Sequence, residues 1–294
     1  NNFDLLKIDN IIIVDDFYGV IETVAYEDNY EGDFNIIVLG RELKSLLDRR
    51  IVWNTLSMNT TAELYLRKAV EDNIINPTNA DRKIDVISLG AVNGISTKID
   101  KQDTGSDILE LCEEVCMSCE LGFDLIPDGN KLKFVVYSGK ERDIKFSDRF
   151  DNVASQDLTV GTGSYKNTCL IAGEDKGEVR KRTSIEREKG LQRREVYIDA
   201  RDLQQEENTA SMAYTNILLQ RGNERLAEMS RTQTFDCEII ESNVKYGVDF
   251  DLGDIVTVIN DKLKFKQKER INAIERVYQN NSVSINIIFG EENV

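Results

Sequence analysis

Apolar positions in the first forty residues fall in short runs. Asn10–Val14, Val20–Tyr26 and Phe34–Leu39 are rich in Ile and Val, and the turn-prone segments DDFYG (15–19) and EDNYEGD (27–33) separate them. Short β-branched runs bounded by Asp, Asn and Gly predict strands joined by hairpins. The period then changes. Leu43, Leu46 and Leu47 recur at helical spacing within 41–51, which predicts a short helix. A second helix starts at a Thr60 or Thr61 cap, with Glu63 in its first turn. Its apolar face is Ala62, Leu64, Leu66, Ala69 and Val70, and it ends before Asn76-Pro77. A third is predicted over 104–121, capped by Ser106 and terminated by Gly122, with Leu109, Cys112, Val115, Cys116 and Cys119 along one side. FDLI (123–126), the turn PDGN (127–130) and KLKFVVY (131–137) read as a hairpin.

The second half repeats this mixture. Residues 150–205 are β-rich but irregular, with a strand-like TCLIAG, and the alternation in SIERE and REVYIDA suits exposed strands or a long hairpin. Residues 206–232 form the longest predicted helix, with Leu218, Leu219, Leu226 and Met229 apolar. Gly222 inside it costs about 1 kcal/mol against Ala, so a close packing contact or a bend is expected there. FDCEIIES, GDIVTVI, RINAIERVY and SVSINIIFG are strands, the last two joined by an Asn280-Asn281 turn. The first and last β segments echo one another in the same order: NIIIV (10–14) with DIVTV (254–258), VIETVAY (20–26) with AIERVYQ (273–279), NIIVLG (35–40) with NIIFG (286–290). Two copies of one small antiparallel unit, or the general likeness of Ile-x-Val strands, both account for this.

Composition narrows the function. At 294 residues, 40% apolar and 31% charged, the chain is too apolar for disorder and long enough for two or more domains. The 37 basic and 53 acidic side chains give a net charge of −16, so the body repels phosphate and no specific nucleic-acid contact is expected. Histidine is absent, which excludes Ser-His-Asp and Cys-His nucleophiles, His-ligated zinc and HExxH proteases. Pro77 and Pro127 are the only prolines, which argues against a Pro-rich linker. Five cysteines, three of them clustered, do not make a disulfide framework and fit a reducing compartment. No run of about 18 apolar residues is present, so no membrane span is expected. NNFDLLKIDN is not a signal peptide, and the missing initial Met fits a fragment or a processed form.

Candidate chemistry is sparse. Cys112, Cys116 and Cys119 lie on one helical face, and a thiolate metal site would need Cys169 or Cys237 as fourth ligand. Buried free cysteines acting as small hydrophobes are the expected reading. Asp249, Asp251 and Asp254 fail the calcium-loop pattern because Leu252 holds a ligand position. GTGSYK (161–166) carries Lys166 where a dinucleotide fingerprint needs its third glycine. No cofactor or metal is expected. Carboxylate pairs such as Asp15 with Asp16 and Glu113 with Glu114 arise readily among 53 acids. They leave a carboxylate-dependent cell-wall glycoside hydrolase as an alternative. A carbohydrate-binding adhesin is a further alternative, but Trp53 is the single Trp and is expected to be buried. Residues 176–195 hold eight basic and four acidic side chains. Such a run is usually a solvated face; here an acidic copy of the same chain is the natural partner, with Arg180, Arg182, Arg193, Arg194 and Arg201 as candidate subunit contacts.

LLDRRI (46–51), YKN (165–167), GLQRREVYIDARDL (190–203), RGNERLAE (221–228), KYGVDFDLGDIVTV (245–258) and RINAIERV (270–277) together resemble the ReqiPepy-type siphovirus tail proteins, over nearly the whole chain and in order. The resemblance carries no catalytic signature and implies a non-enzymatic scaffold. It implies an α+β fold of two small antiparallel β-barrel modules with α/β insertions, like a phage tail hub. The expected divisions are a first, N-terminally incomplete barrel module over 1–52, an α+β insertion over 53–148, a β-rich middle with the long helix over 149–235, and a second barrel module over 236–294. The implied protein is a structural tail tip or baseplate hub of a tailed phage or prophage. It would sit in the virion tail after assembly in the host bacterial cytoplasm. Three copies would form a ring with pseudo-sixfold symmetry that joins the distal tail protein or tail tube protein to the tip. The tape measure protein and the receptor-binding or fibre proteins would be further partners, and any receptor-binding or lytic module would lie on another chain.

Overall fold

The three opening runs form an antiparallel meander, β1 (Ile11–Val14), β2 (Phe17–Asp28) and β3 (Phe34–Glu42), with β2 in the middle. The computed structural model describes residues 5–15, 17–28, 34–174, 180–204, 211–230, 232–279 and 282–289. The leucines of 41–51 wind a tight 3-10 turn over Leu43–Arg49 and bury Leu43, Leu46 and Leu47. Beyond it come β4 (Leu56–Thr61) and α1 (Ala62–Val70), capped by Thr61, whose hydroxyl accepts the Leu64 N–H. β5 (Ile87–Leu89) and β6 (Lys98–Asp103) follow. Neither stands out in the sequence; β6 reads KIDKQD and pairs antiparallel with β4.

The cap of α2 (Ile108–Cys119) is Asp107 and not Ser106. One Asp107 carboxylate oxygen accepts the N–H groups of both Leu109 and Glu110, while the Ser106 hydroxyl donates to Asp103. Glu120, at φ 55°, closes the helix, and Gly122 already belongs to the next strand. The predicted hairpin is β7 (Gly122–Asp128) with β8 (Lys131–Tyr137). α1, α2, the β7–β8 sheet and the 3-10 turn share one apolar core, which includes Tyr65, Leu66, Ile108, Leu111, Cys112, Val115 and Phe134.

β9 (Glu141–Phe146) and β10 (Val153–Gly161) leave this unit and become the two edges of a six-stranded sheet described below. β11 (Thr168–Ala172), β12 (Arg182–Glu186) and β13 (Glu195–Asp199) form a mixed sheet. SIERE and REVYIDA therefore do not make one hairpin. They flank β11 on opposite sides, β12 antiparallel and β13 parallel. α3 (Ser211–Glu228) covers one face with Tyr214, Ile217, Leu218 and Leu226 against Cys169, Ile171 and Ile198. Gly222 supplies close approach: a Cβ there would lie 2.8 Å from the δ-methyls of Ile171 and Ile185.

β14 (Thr232–Ile239), β15 (Ile255–Asn260), β16 (Phe265–Gln279) and β17 (Ser282–Phe289) complete the six-stranded sheet, in the order β10-β14-β17-β16-β15-β9. The expected Asn280-Asn281 turn lies outside the described residues. The inner face buries Phe235, Cys237, Ile239, Val256, Val258, Ile271, Ile285, Ile287 and Phe289, with Phe146 edge-on to Phe250. The fold is thus mostly β, with helices grouped in the insertions. This sheet is a half-barrel, and the opening meander has three strands.

The two meanders share detailed geometry. Asp9 and Gly253 both take a positive φ, 70° and 87°. Each N–H donates to the carbonyl of a middle-strand isoleucine, Asp9 to Ile21 at 2.9 Å and Gly253 to Ile271 at 2.8 Å. Each isoleucine N–H returns to the next residue, Ile21 to Asn10 and Ile271 to Asp254, both at 2.9 Å. Each middle strand then slips register just after that isoleucine, between Ile21 and Thr23 and between Ile271 and Ala273. Structure therefore equates Asn10 with Asp254, as the sequence echo does, but Val20 with Arg270 and not with Ala273.

Candidate functional site

Four of the five predicted arginines, Arg180, Arg182, Arg193 and Arg201, gather on the outer face of the mixed sheet, where β-strand alternation turns the side chains of Arg182, Ser184, Glu186, Leu170, Glu195, Tyr197 and Asp199 away from α3, and Arg194 lies apart from them. Arg180 reaches Asp199 at 2.6 Å, the Tyr197 hydroxyl at 2.7 Å and the Gly173 carbonyl at 2.8 Å. Arg201 joins the same carboxylate at 2.9 Å. With Arg201 and Arg180 donating to it, Asp199 is held well below the usual carboxylate range. Arg193 bridges Glu186 at 2.8 Å and Glu195, and its guanidinium likewise lowers Glu186. Arg194 donates to the Thr162 carbonyl at 2.7 Å and lies 5.7 Å from the Tyr165 ring centre. Arg182 is exposed on β12. The basic run is therefore not a bare positive patch; its own carboxylates neutralise much of it.

The opening meander is the other unusual surface. Phe34 and Leu39 have opposite parity on β3, so they point to opposite faces, yet both are exposed, as are Ile37, Tyr26, Ile13 and Val14. Phe34 and Tyr26 stack on each other with ring centres 6.2 Å apart. Ile12, Val14, Phe17, Val20, Ile21 and Val38 line an open depression of 290 Å³ on the sheet. Neither β1 nor β3 has a further strand beside it among the described residues. Beside the equivalent strands of the second meander, β15 is covered by β9, and β17 by β14 and then β10. A link between the meanders runs from Asp15, which accepts from the Tyr278 hydroxyl, and from Arg276, whose guanidinium lies 4.7 Å over the Phe17 ring.

The other candidates do not assemble into a centre. Cys112 and Cys116 lie in the helical core, Cys169 under α3 and Cys237 inside the six-stranded sheet, so the thiols occupy three separate cores. Burial pushes the Cys116 thiol up to about 12. Asp254 accepts from Arg142 at 2.6 Å and from the Lys140 N–H at 2.8 Å, and Asp249 accepts from the Lys245 N–H at 2.8 Å, so this stretch is tied to its own chain. Glu114 is drawn toward Lys101 and Arg225, each at 3.6 Å, with burial raising its pKa, while Asp15 lies at the first hairpin and Asp16 outside the described residues. Trp53, expected to be buried, is 62% exposed, with Val52 taking the buried position beside it.

Two features were missed in the sequence. One is the buried charge cluster between the α+β unit and α3, where Lys101 and Glu224 meet at 2.7 Å. Its signal, a charged strand facing a glutamate on the apolar side of a helix, depends on a pairing 123 residues apart. The other is the exposed Trp53 itself.

No curated protein matches the sequence. The family described as Siphovirus ReqiPepy6 Gp37-like protein matches residues 1–291. Among solved structures, the tail protein from Neisseria meningitidis MC58 is similar at 16% identity and a TM-score of 0.56, covering 94% of this chain and 80% of that one. Prophage tail protein gp18 from Listeria monocytogenes EGD-e has 14% identity and a TM-score of 0.54, covering 98% and 81%. The prophage MuSo2 43 kDa tail protein from Shewanella oneidensis has 13% identity and a TM-score of 0.54, covering 94% and 79%. At such identities these three share a fold with the chain, and the family match over nearly its full length settles membership: the chain belongs to the Siphovirus ReqiPepy6 Gp37-like protein family of phage tail proteins.

Proposed function

We propose that the protein is a structural hub at the tip or baseplate of a phage or prophage tail. In this reading three copies close into a ring and join the sixfold tail tube or distal tail protein to the tip. The observation that carries it is the pair of meanders. Two units of like geometry per chain, taken three times, give six similar units. A three-stranded sheet with large apolar side chains on both faces, and with no further strand at either edge among the described residues, is also incomplete as a monomer. Ring contacts from strands 10–40 and 236–290 would supply the missing neighbours and complete each module toward a barrel. The face bearing Arg180, Arg182, Arg193 and Arg201, together with Arg194 beside the start of β13, is a second, polar contact. Apart from Arg180, whose side chain is nearly buried, its paired arginines are partly or largely exposed, and such pairs contribute little on their own. The tape measure and the receptor-binding or fibre proteins are the further partners of such a hub.

The test is the mass of the purified chain by light scattering, with negative-stain images of any ring. Ile37→Lys with Leu39→Lys should leave the protein folded by circular dichroism and prevent the trimer. Arg193→Glu with Arg194→Glu should weaken the trimer. A trimer that tolerates both pairs of changes refutes these contacts, and ordered assemblies of another stoichiometry refute the threefold hub.

A further inference from the structure

Trp53 stands on a rigid base. Its backbone N–H donates to Asn73 at 3.0 Å, and the buried Asn73 amide donates in turn to the Ala69 carbonyl at 2.9 Å. The Arg82 guanidinium lies 4.7 Å over the indole and donates to the Ile51 carbonyl at 2.8 Å. Arg50 donates to the Arg82 carbonyl and, at 2.7 Å, to the Arg49 carbonyl. Both guanidiniums are thus held on neutral carbonyls. Among the described residues neither is in an ion pair, although the chain carries a net charge of −16. Burial and the neighbouring Arg50 both lower the pKa of Arg82, as expected where like charges crowd without a counter-ion. Trp53 is exposed and the two arginines are half-buried, and Trp and Arg are the residue types that most often dominate binding energy at protein interfaces. Their preorganisation reduces the entropy lost on docking.

The outer face of the six-stranded sheet around β10, β14 and β17 has the opposite deficit. Asp157 and Asp236 sit directly opposite each other on β10 and β14, a like-charge pairing that destabilises a sheet. One Asp236 oxygen is buried without a hydrogen-bond partner. In the adjacent row, Glu238 faces Asn286, which faces Glu275 on its other side. Asn286 donates to Glu275 at 3.1 Å, and none of the four carboxylates is in an ion pair among the described residues.

We infer that the Trp53–Arg82–Arg50 platform docks on the Asp157–Asp236–Glu238–Glu275 face of a second copy of this chain. Charge complementarity selects that occupant. Among the described residues the two arginines of the platform lack an ion-pair partner and so do the four carboxylates of the sheet face, so each surface supplies the charge the other lacks. The contact is head-to-tail, so each copy offers one half to each neighbour, and it closes when the rotation per copy closes. It rests on the self-assembly reading above and adds to it a specific pair of surfaces outside the opening meander.

Because Trp53 is the chain's single tryptophan, it reports its own burial. Fluorescence of the full chain should shift to the blue, and acrylamide quenching should fall, as concentration drives the mass above that of a monomer. Arg50→Glu with Arg82→Glu, and separately Asp157→Lys with Asp236→Lys, should each abolish that change. Mixing the two variants should restore it, because one keeps the platform and the other keeps the acidic face. Asp157→Asn with Asp236→Asn removes the charge without adding a new one and should weaken the shift in a protein that folds at least as well. If oligomers form while Trp53 stays as quenchable as in the monomer, this contact is wrong and the hub reading stands. If Trp53 becomes protected regardless of the Asp157 and Asp236 changes, the acidic face is not its partner. If mass and emission stay monomeric at every concentration, both this contact and unaided self-assembly are refuted.

Discussion

Replacing Lys101 with Met would remove the only cation within ion-pair reach of Glu224 among the described residues. Lys101 and Glu224 are each 2% exposed, and their charged atoms are 2.7 Å apart. The second Glu224 oxygen accepts from Gln220 at 3.0 Å, and Glu114 stands 3.6 Å from the lysine on the other side. At an effective dielectric of about 20, such a pair gains about 6 kcal/mol of direct attraction. Taking two ions out of water costs several kcal/mol each, so the intact pair is close to balanced. The single change breaks that balance, because it leaves Glu224 buried near Glu114 with no cation between them. The expected loss is about 3–5 kcal/mol. Lys101→Met with Glu224→Leu removes both charges and should fall within about 1 kcal/mol of the parent, or be more stable. Equilibrium urea unfolding, followed by far-UV circular dichroism and by Trp53 fluorescence, measures both variants and the coupling between the sites. A single variant within about 1 kcal/mol of the parent, or a double variant as damaged as the single, would refute the argument that the charges balance each other.

Three further outcomes follow from local geometry. A Cβ on Gly139 would lie 1.5 Å from the Gly253 carbonyl oxygen, whereas one on Gly163 would meet nothing within 4 Å. Gly139→Ala should therefore cost at least about 2 kcal/mol in thermal denaturation while Gly163→Ala is silent; equal effects would show that this junction is not close-packed. Asp107→Ala removes an oxygen that accepts two N–H groups at the start of α2 and should cost about 1 kcal/mol, whereas Ser106→Ala should cost less; the reverse order would return the cap to Ser106. Glu186 and Asp199 are held below the ordinary carboxyl range by Arg193 and by Arg201 with Arg180. Their pairs contribute stability above about pH 4 and lose it as the pH falls through the lowered folded values. Glu186→Gln with Asp199→Asn should flatten the acid limb of the Tm profile, and an unchanged limb would remove these pairs from the acid response.

The strands that alternate or run apolar were legible: all three opening strands, the 123–137 hairpin and the four closing strands appear where the pattern places them, within a few residues. Apolar periodicity also placed α1 and α2, and Gly222 meets the close contact expected of a glycine inside α3. What escaped was whatever depends on a distant partner. β6 carries Lys101, Gln102 and Asp103, all buried, and nothing local in KIDKQD announces burial, because the compensating Glu224 lies far along the chain. The α2 cap was misplaced by one residue because Ser and Asp are both good caps and only geometry shows which oxygen reaches two N–H groups. Trp53 is expected inside because it follows the LLDRRI segment, and Leu46, Leu47 and Val52 are indeed buried, yet the chain turns so that the indole faces out beneath Arg82. For the arginine face, the charge was visible, and so in principle was its compensation, since Glu186, Glu195 and Asp199 lie within the same stretch of chain.

The repeat shows most clearly where pattern and structure diverge. Aligning letters slides the second strand by three residues, because VIETVAY and AIERVYQ share Ile-Glu-x-Val by composition and not by place in the ladder. The true correspondence is carried by backbone features that different residues satisfy: a left-handed position held by Asp9 in one copy and Gly253 in the other, and a register slip after Ile21 and after Ile271. Asp tolerates that conformation and Gly adopts it freely, so a sequence comparison reads two unrelated letters where the fold repeats one hydrogen-bonded corner. With the corners equivalent, the two copies differ in what flanks them. The same three-stranded ribbon is flanked by β9 and by β14 with β10 at one end of the chain and by nothing among the described residues at the other. An open ribbon with apolar side chains on both faces is a hazard for a protein that works alone. In the proposed ring, the same exposure is what a neighbouring copy would cover.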